Sequence, residues 1–217
     1  MHGGSMMMHG LSWPGALASF VGMWTVMMMA MMLPSLAPAL RRHHRAVDRM
    51  GVSRPGGQTL LVGVAYFAVW SAIGIAVFSL DSALGAAGIP LPAPSGVLSS
   101  TVGVVVLAAG AIQLTAWKAH HLTRCREASA PGSILPLDAA AAWRHGLRLG
   151  VHCGLSCAGL TAIVLAVGMM DLRAMALVTA AITAERLAPV GARVARGIGA
   201  VTIALGLFLI ARAAAVA

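Results

Sequence analysis

Six apolar stretches, separated by short polar segments, run through most of the chain. They lie near residues 16–40, 59–80, 97–117, 146–168, 172–188 and 197–216. A helix needs about 20 apolar residues to cross the hydrocarbon core of a bilayer, and only the fifth stretch is clearly shorter. The pattern therefore predicts an all-α, polytopic helical membrane bundle of about six transmembrane helices, with residues 16–217 as one domain.

Positive charge alternates between the predicted loops. The first loop holds five Lys and Arg residues, the third five and the fifth three, which together are thirteen of the 15 in the chain. Loops rich in Lys and Arg remain on the cytoplasmic side of a membrane. With six spans, this alternation predicts that both termini lie outside and that the protein is a multi-pass component of the inner (cytoplasmic) membrane.

The overall composition fits the same class. Hydrophobic residues make up 59% of the chain and charged residues 10%, with a mean hydropathy of +0.87, whereas a soluble domain carries about 25% charged residues. The net charge of +9 follows from the topology and favours contact with anionic lipid rather than nucleic acid. A phosphate-binding loop of the form GxxxxGK followed by Ser or Thr does not occur, so ATP-driven pumping by this chain alone is not expected.

Methionine is concentrated in the first apolar stretch. Five methionines fall within six residues: Met27, Met28, Met29, Met31 and Met32. Residues four apart share a helix face, which pairs Met27 with Met31 and Met28 with Met32. A thioether is a soft ligand that suits Cu(I), and it is also a flexible apolar filler between helices. Both interpretations remain open from this stretch alone.

The fourth stretch contains a pair of thiols. Cys153 and Cys157 are four residues apart, so they share a helix face, and three glycines at four-residue spacing (Gly146, Gly150, Gly154) let another helix approach closely. At about 1.5 Å per residue, these thiols lie about 10 to 16 Å from the cytoplasmic end of their span, and the methionines of the first span lie about 12 to 20 Å in. We therefore expect thiols and thioethers to line a common pocket.

A carboxylate lies just beneath this predicted layer. Glu185 stands near the inner end of the fifth stretch, where an acidic group must be paired or hydrated. One interpretation pairs it with Lys118 or Arg186. The alternative is that Glu185 helps to hand a cation or a proton to the cytoplasm.

Three further groups are candidate metal ligands. His121 and Cys125 are four residues apart after the third stretch, and Met169 and Asp171 follow the fourth. The tail formed by residues 1–15 is rich in Met and His and would collect copper on the outer side, through His2, Met6, Met7, Met8 and His9. The structural alternatives are a basic helix end with an ordinary thiol and a disordered terminus.

At these residues the chain resembles the family catalogued as domain of unknown function 2182, which comprises predicted metal-binding integral membrane proteins. The family pattern is richer in cysteine, and His121 stands where a cysteine is expected. The resemblance implies metal handling, with copper as the suspected metal, and it carries no established activity. The matching segments are residues 23–34, residues 113–115 with Lys118 and Cys125, residues 146–157, residues 168–171 and Glu185.

Three functions remain open. We favour a protein that binds a soft metal, Cu(I), as a transporter or a membrane metallochaperone, with ligands drawn from the first and fourth spans. A subunit of a membrane metalloenzyme would need harder ligands and an open coordination position, which the spans offer poorly, so an enzyme is the less favoured interpretation. A structural protein that packs against a partner, or against a second copy of this chain, would need no metal.

Overall fold

The computed structural model describes residues 13–51, 54–87, 100–128, 138–169 and 171–216. These residues form seven helices with short connections, and they contain no strand. The predicted all-α fold is therefore confirmed. The helices are α1 (Trp13–Arg49), α2 (Pro55–Ala86), α3 (Ser100–Gln113), α4 (Ala116–Ala128), α5 (Ala139–Val167), α6 (Leu172–Leu187) and α7 (Gly191–Val216).

Four helices, α1, α2, α5 and α7, are long and apolar enough to cross a membrane. Helices α3 and α4 meet at 65° and provide a fifth span if they are taken together. The fifth predicted stretch is α6, whose 16 residues extend only about 24 Å, short of the roughly 30 Å hydrocarbon core. A multi-pass membrane protein is thus confirmed, while the side on which each terminus lies stays a prediction.

The third predicted stretch breaks at a threonine. Helix α3 ends at Gln113, and α4 begins at Ala116. Thr115 caps the start of α4, because its hydroxyl oxygen accepts a hydrogen bond from the backbone N–H of Lys118 at 3.2 Å. This bond satisfies one of the N–H groups that a helix start leaves without a partner. The break leaves Gln113 and Lys118 on two different helices, and both side chains are buried.

The glycine row of α5 packs against α2. A Cβ atom on Gly146 would collide with the carbonyl oxygen of Val62, and one on Gly154 would lie 2.9 Å from the side chain of Ile73. Because residue numbers rise together along this contact, the two helices run parallel. The close helix contact predicted from the spacing of these glycines is confirmed.

Helices α3 and α7 pack by the same means in the opposite direction. Gly103 lies against Ile210, and Gly110 lies against Ile203, where an added Cβ atom would be 2.8 Å from the backbone nitrogen. As the residue numbers rise along α3, those of the contacting residues fall along α7, so the two helices are antiparallel. Helix α3 also contacts α5, which therefore lies at the centre of the bundle between α2 and α3.

Helix α1 lies antiparallel to α2. The hydroxyl groups of Thr25 and Ser71 are 2.9 Å apart, and Leu40 reaches Gly63. No Cα atom of α1 comes within 8 Å of one in α5, yet both helices contact α2 and α6. Large side chains, rather than backbone contact, therefore join α1 to α5, and they form the main core of the protein.

Candidate metal centre

All three cysteines of the chain meet in the core. Cys125 on α4 is hydrogen-bonded to Cys153 on α5, and the sulfur atoms of Cys153 and Cys157 are 3.8 Å apart. All three thiols are buried. Cys153 therefore lies in the middle of a row of three sulfur atoms, which we call the thiol row.

The central thiol has two polar partners from other helices. The Tyr66 hydroxyl donates a hydrogen bond to the sulfur of Cys153 at 3.0 Å, and the Arg186 guanidinium donates to the same atom at 3.4 Å. Arg186 also donates to the Ser35 hydroxyl on α1 at 2.8 Å. These bonds join α2 and α6 at one sulfur atom of α5, and Arg186 connects α1 to the same group through Ser35.

Arg186 is a buried charge without a carboxylate partner among the described residues. Its guanidinium is always protonated, and only 8% of the residue is exposed. An isolated charge in such a place is costly unless a compensating charge or a set of hydrogen bonds stabilises it. Apart from the Ser35 hydroxyl, the partners that the structure gives this side chain are the sulfur atoms of Cys153 and Cys125.

Four methionines of α1, which we call the methionine layer, belong to the same buried cluster as the thiol row. Met28, Met31 and Met32 are almost completely buried, and Met27 is buried as well. Met29, by contrast, is 38% exposed. The two pairs predicted from four-residue spacing thus face the interior, in the same core as the thiols of α5.

The predicted carboxylate pairs with a lysine next to the thiols. Glu185 lies 2.7 Å from the ammonium group of Lys118, and it accepts a hydrogen bond of 2.5 Å from the Gln113 amide. Lys118 also donates to the backbone carbonyl of Ser156, between the two cysteines of α5. Of the two pairing partners that the sequence offered, Lys118 is the one that Glu185 contacts, while a role in handing on a cation or a proton stays a prediction.

The remaining candidates lie away from the thiol row. His121 faces His152, with Nδ1 atoms 3.2 Å apart, and not the thiol of Cys125. Asp171 caps α6 by accepting hydrogen bonds from two backbone N–H groups, about 21 Å along the helix from Glu185. Met169 packs against the main core near the same end. Met170 and the Met/His tail of residues 1–15 lie outside the described residues, apart from the tail's last positions, Trp13 to Gly15.

The sulfur atoms decide whether the residues of this centre fit a metal ion. Within the described parts of the chain, no group of three or more His, Cys, Asp or Glu side chains could hold a metal ion. Two thiolates at about 2.3 Å from a shared metal, the usual zinc–sulfur distance, lie no more than about 4.6 Å apart. The 3.8 Å between Cys153 and Cys157 meets that limit. Two thiols backed by thioethers suit a soft ion such as Cu(I).

The two ends of the thiol and methionine layer differ. Toward the start of α1, Trp24 is fully buried, donates to the carbonyl of Trp70 at 2.8 Å and stacks on Phe20, which also contacts Phe78. Toward the α6–α7 connection, a cavity of about 730 Å³ reaches Cys125, Ser35 and Arg186. Aromatic rings thus close one end, and the other end borders a cavity.

Sequence reasoning missed two residues of this centre. Nothing in the sequence around Tyr66 distinguishes it from a packing residue, because its role depends on the approach of α2 to α5. Arg186 had a usable signal, since a charged residue near a span end is costly unless it is paired. That signal indicates that Arg186 has a partner, and the adjacent Glu185 is the partner that the sequence suggests, whereas a thiol on another helix is not.

One comparison with known proteins gives a match. The family model described as PpoB2, copper chaperone, matches residues 21–209. No curated protein and no solved structure matches the chain. The matched region contains the whole of the thiol row and the methionine layer. The expected metal-related membrane family is thus supported as a copper-related one, under a name other than domain of unknown function 2182.

The buried ion pair leads to a stability prediction. Replacing Glu185 with Gln leaves the ammonium group of Lys118 buried without a counter-charge, and we expect a loss of about 3 to 5 kcal/mol in the free energy of unfolding. Denaturant unfolding of the detergent-solubilised protein measures this loss. Glu127→Gln is the matched control, because Glu127 is exposed. Equal effects of the two substitutions would contradict the structural role of the pair.

Proposed function

Because the chain belongs to the PpoB2 copper-chaperone family, we propose that it is a membrane chaperone that holds Cu(I) between Cys153 and Cys157 and passes it to a protein partner. The single observation that carries the proposal is that every cysteine of the chain meets in one buried row next to the methionine layer. Copper is the cargo in this proposal, and the protein needs no catalytic group.

The buried charges favour the cuprous state. Glu185 already balances Lys118, so the positive charge of Arg186 remains. Cu(I) bound by two thiolates carries a net charge of −1, which balances Arg186. Cu(II) or Zn²⁺ in the same two-thiolate site would be neutral and would leave the guanidinium uncompensated, at a cost of several kcal/mol. Thioethers from Met28 and Met32 can add to the metal without changing this balance.

The asymmetry of the layer favours a chaperone over a transporter. A transporter needs access from both sides of its binding site, whereas the rings of Phe20, Trp24 and Trp70 close the layer toward the start of α1. The cavity at the opposite end supports loading and unloading through the same opening. On the positive-inside pattern this opening faces the cytoplasm, with the N-terminus outside, in the inner membrane.

The role of Cys125 follows from its place at the end of the thiol row. It contacts Cys153 on one side and the cavity on the other. We assign it to the exchange of the ion with the partner, while the Cys153 and Cys157 pair holds the ion at rest. The three cysteines are therefore expected to differ when each is replaced by serine.

Serine substitutions of the three cysteines separate these roles. Cys153→Ser and Cys157→Ser should abolish stoichiometric Cu(I) binding, because each removes one of two thiolates. Cys125→Ser should retain one Cu(I) per chain but release it more slowly to an added chelator. Titration against a colorimetric Cu(I) chelator measures both quantities, and circular dichroism checks that each variant remains helical. Equal loss of binding in all three variants would contradict the division of roles.

The methionine layer provides a second comparison within the same titration. Met28→Leu and Met29→Leu are matched substitutions on neighbouring residues, of which only Met28 is buried in the core. We expect Met28→Leu to weaken Cu(I) binding and Met29→Leu to leave it unchanged. Equal affinities would assign the methionines of α1 to packing alone.

A substitution of Arg186 tests the charge argument for Cu(I). Arg186→Gln removes the positive charge that compensates the cuprous site, and contacts of this kind typically contribute about 10- to 100-fold to metal affinity. We expect the affinity for Cu(I) to fall by that amount, and the preference for Cu(I) over Zn²⁺ to fall with it. Competition titrations with both metals measure the ratio. An unchanged ratio would refute the charge argument for Cu(I).

A flux measurement distinguishes a chaperone from a transporter. Protein reconstituted in vesicles should bind radioactive copper at its cavity side in proportion to the protein present. It should not accumulate copper in the lumen. Empty vesicles are the control for leakage. Time-dependent accumulation that Cys153→Ser abolishes would establish transport instead.

A further inference from the structure

The cavity next to the thiol row is strongly basic. Among the described residues, five arginines line it, and Glu127 is the one carboxylate. The arginines come from four different helices, so the charge is a property of the folded bundle and not of one segment: Arg42, Arg126, Arg186, Arg193 and Arg196.

A thiol stands in the wall of this basic cavity. Cys125 lines the cavity, and its sulfur is hydrogen-bonded to Cys153. The volume of about 730 Å³ lies within the range of about 300 to 1,000 Å³ that is usual for small-molecule sites. A small molecule in the cavity would therefore contact positive charges, and the fully buried sulfur atom of Cys125 would lie directly behind the cavity wall.

These features match one form of the cargo. Cu(I) bound to two small thiolates is an anionic complex, and carboxylate or sulfonate groups on the thiols add further negative charge. We propose that the cavity is a docking site for Cu(I) carried by a small anionic thiol, which exchanges its copper with Cys125 and then with Cys153 and Cys157. This inference rests on the proposed function and names the form in which the cargo arrives.

The exchange balances without any redox step. The incoming complex consists of Cu(I) and two thiolates, and it meets two protein thiols. Two copper–sulfur bonds to the carrier break and two bonds to protein sulfur form, while the protons of the protein thiols leave on the two departing carrier thiols. Copper remains monovalent throughout. The arginines hold the anionic complex during the exchange, and they bind each released carrier thiol less strongly because it carries less negative charge than the complex.

An assay of copper transfer tests the proposal with three carriers that share a two-carbon thiol backbone. Cu(I) is supplied to the full-length protein in an uncharged detergent as its complex with 2-mercaptoethanesulfonate, 2-mercaptoethanol or 2-aminoethanethiol, whose end groups are anionic, neutral and cationic, so that the complex becomes less negative in that order. A basic site accelerates association with anions by about tenfold or more at low ionic strength. We therefore expect transfer to be fastest from the sulfonate and slowest from the amine, with a difference that shrinks as salt is added.

The variants locate this effect. Arg193→Gln/Arg196→Gln removes two charges from the cavity wall, where Arg196 bonds only to a carbonyl of its own helix. It should reduce the preference for the sulfonate at least fivefold and leave the final copper content unchanged, as expected for a steering effect. Arg144→Gln/Arg148→Gln is the matched control, since both residues are exposed on α5 and neither lines the cavity.

The outcomes separate the two levels of inference. Equal transfer rates from the three carriers, with full copper binding, would overturn the docking proposal and leave the chaperone function intact. No copper binding from any carrier would overturn both. A lipid headgroup is the other anion that arginines could hold. If short-chain phosphatidylglycerol binds in an Arg193- and Arg196-dependent manner while transfer shows no charge preference, the cavity is a lipid site and the proposal fails.

Discussion

The ion pair between Lys118 and Glu185 is the interaction on which the centre of this bundle depends. It brings together four helices, because Gln113 on α3 and the Ser156 carbonyl on α5 bind the same two charged groups. In a membrane, charged and polar groups must find their partners inside the protein. The break between α3 and α4 makes this possible, since it lets Gln113 and Lys118 reach one carboxylate from different helices.

Two adjacent residues of α6 differ in whether their charge is balanced within the protein. Glu185 is neutralised within the protein, whereas the neighbouring Arg186 points to a thiol and to a hydroxyl. A core with one uncompensated positive charge is incomplete as a stable structure, but it suits a site whose ligand brings a negative charge. The hydrogen bond that Tyr66 donates to Cys153 fits the same reasoning, because sulfur accepts hydrogen bonds best when it carries negative charge.

Much of the fold could be predicted from the sequence, because hydropathy and glycine spacing act locally. The contact of α5 with α2 follows from Gly146 and Gly154, and the helical fold follows from the apolar stretches. The break at Thr115 could not be seen in hydropathy, since a capping threonine changes the helix direction without changing the average polarity of the stretch. Most of α4 lies outside the predicted third stretch for this reason.

The candidate site was less predictable, for a physical reason that His121 and Cys125 illustrate. Their spacing places both on one face of α4, but it does not specify which helix that face meets. In the structure each residue pairs with a neighbour on α5, His121 with His152 and Cys125 with Cys153. Spacing within a helix therefore identified candidate ligands, whereas their grouping depended on tertiary contacts that a single sequence does not encode locally.

The arrangement of sulfur atoms has a consequence for how copper would move. Cys125 touches both the cavity and Cys153, and Cys157 lies 3.8 Å further along the row. In the function that we propose, an ion would pass from the cavity to the interior by exchanging one sulfur ligand at a time, once the side chains that cover Cys125 move aside. A transporter with alternating access must open a second side, which here would require separating the packed rings of Trp24 and Phe20 from α2. The energy of that aromatic packing opposes a second opening, which supports the exchange at one end that we propose.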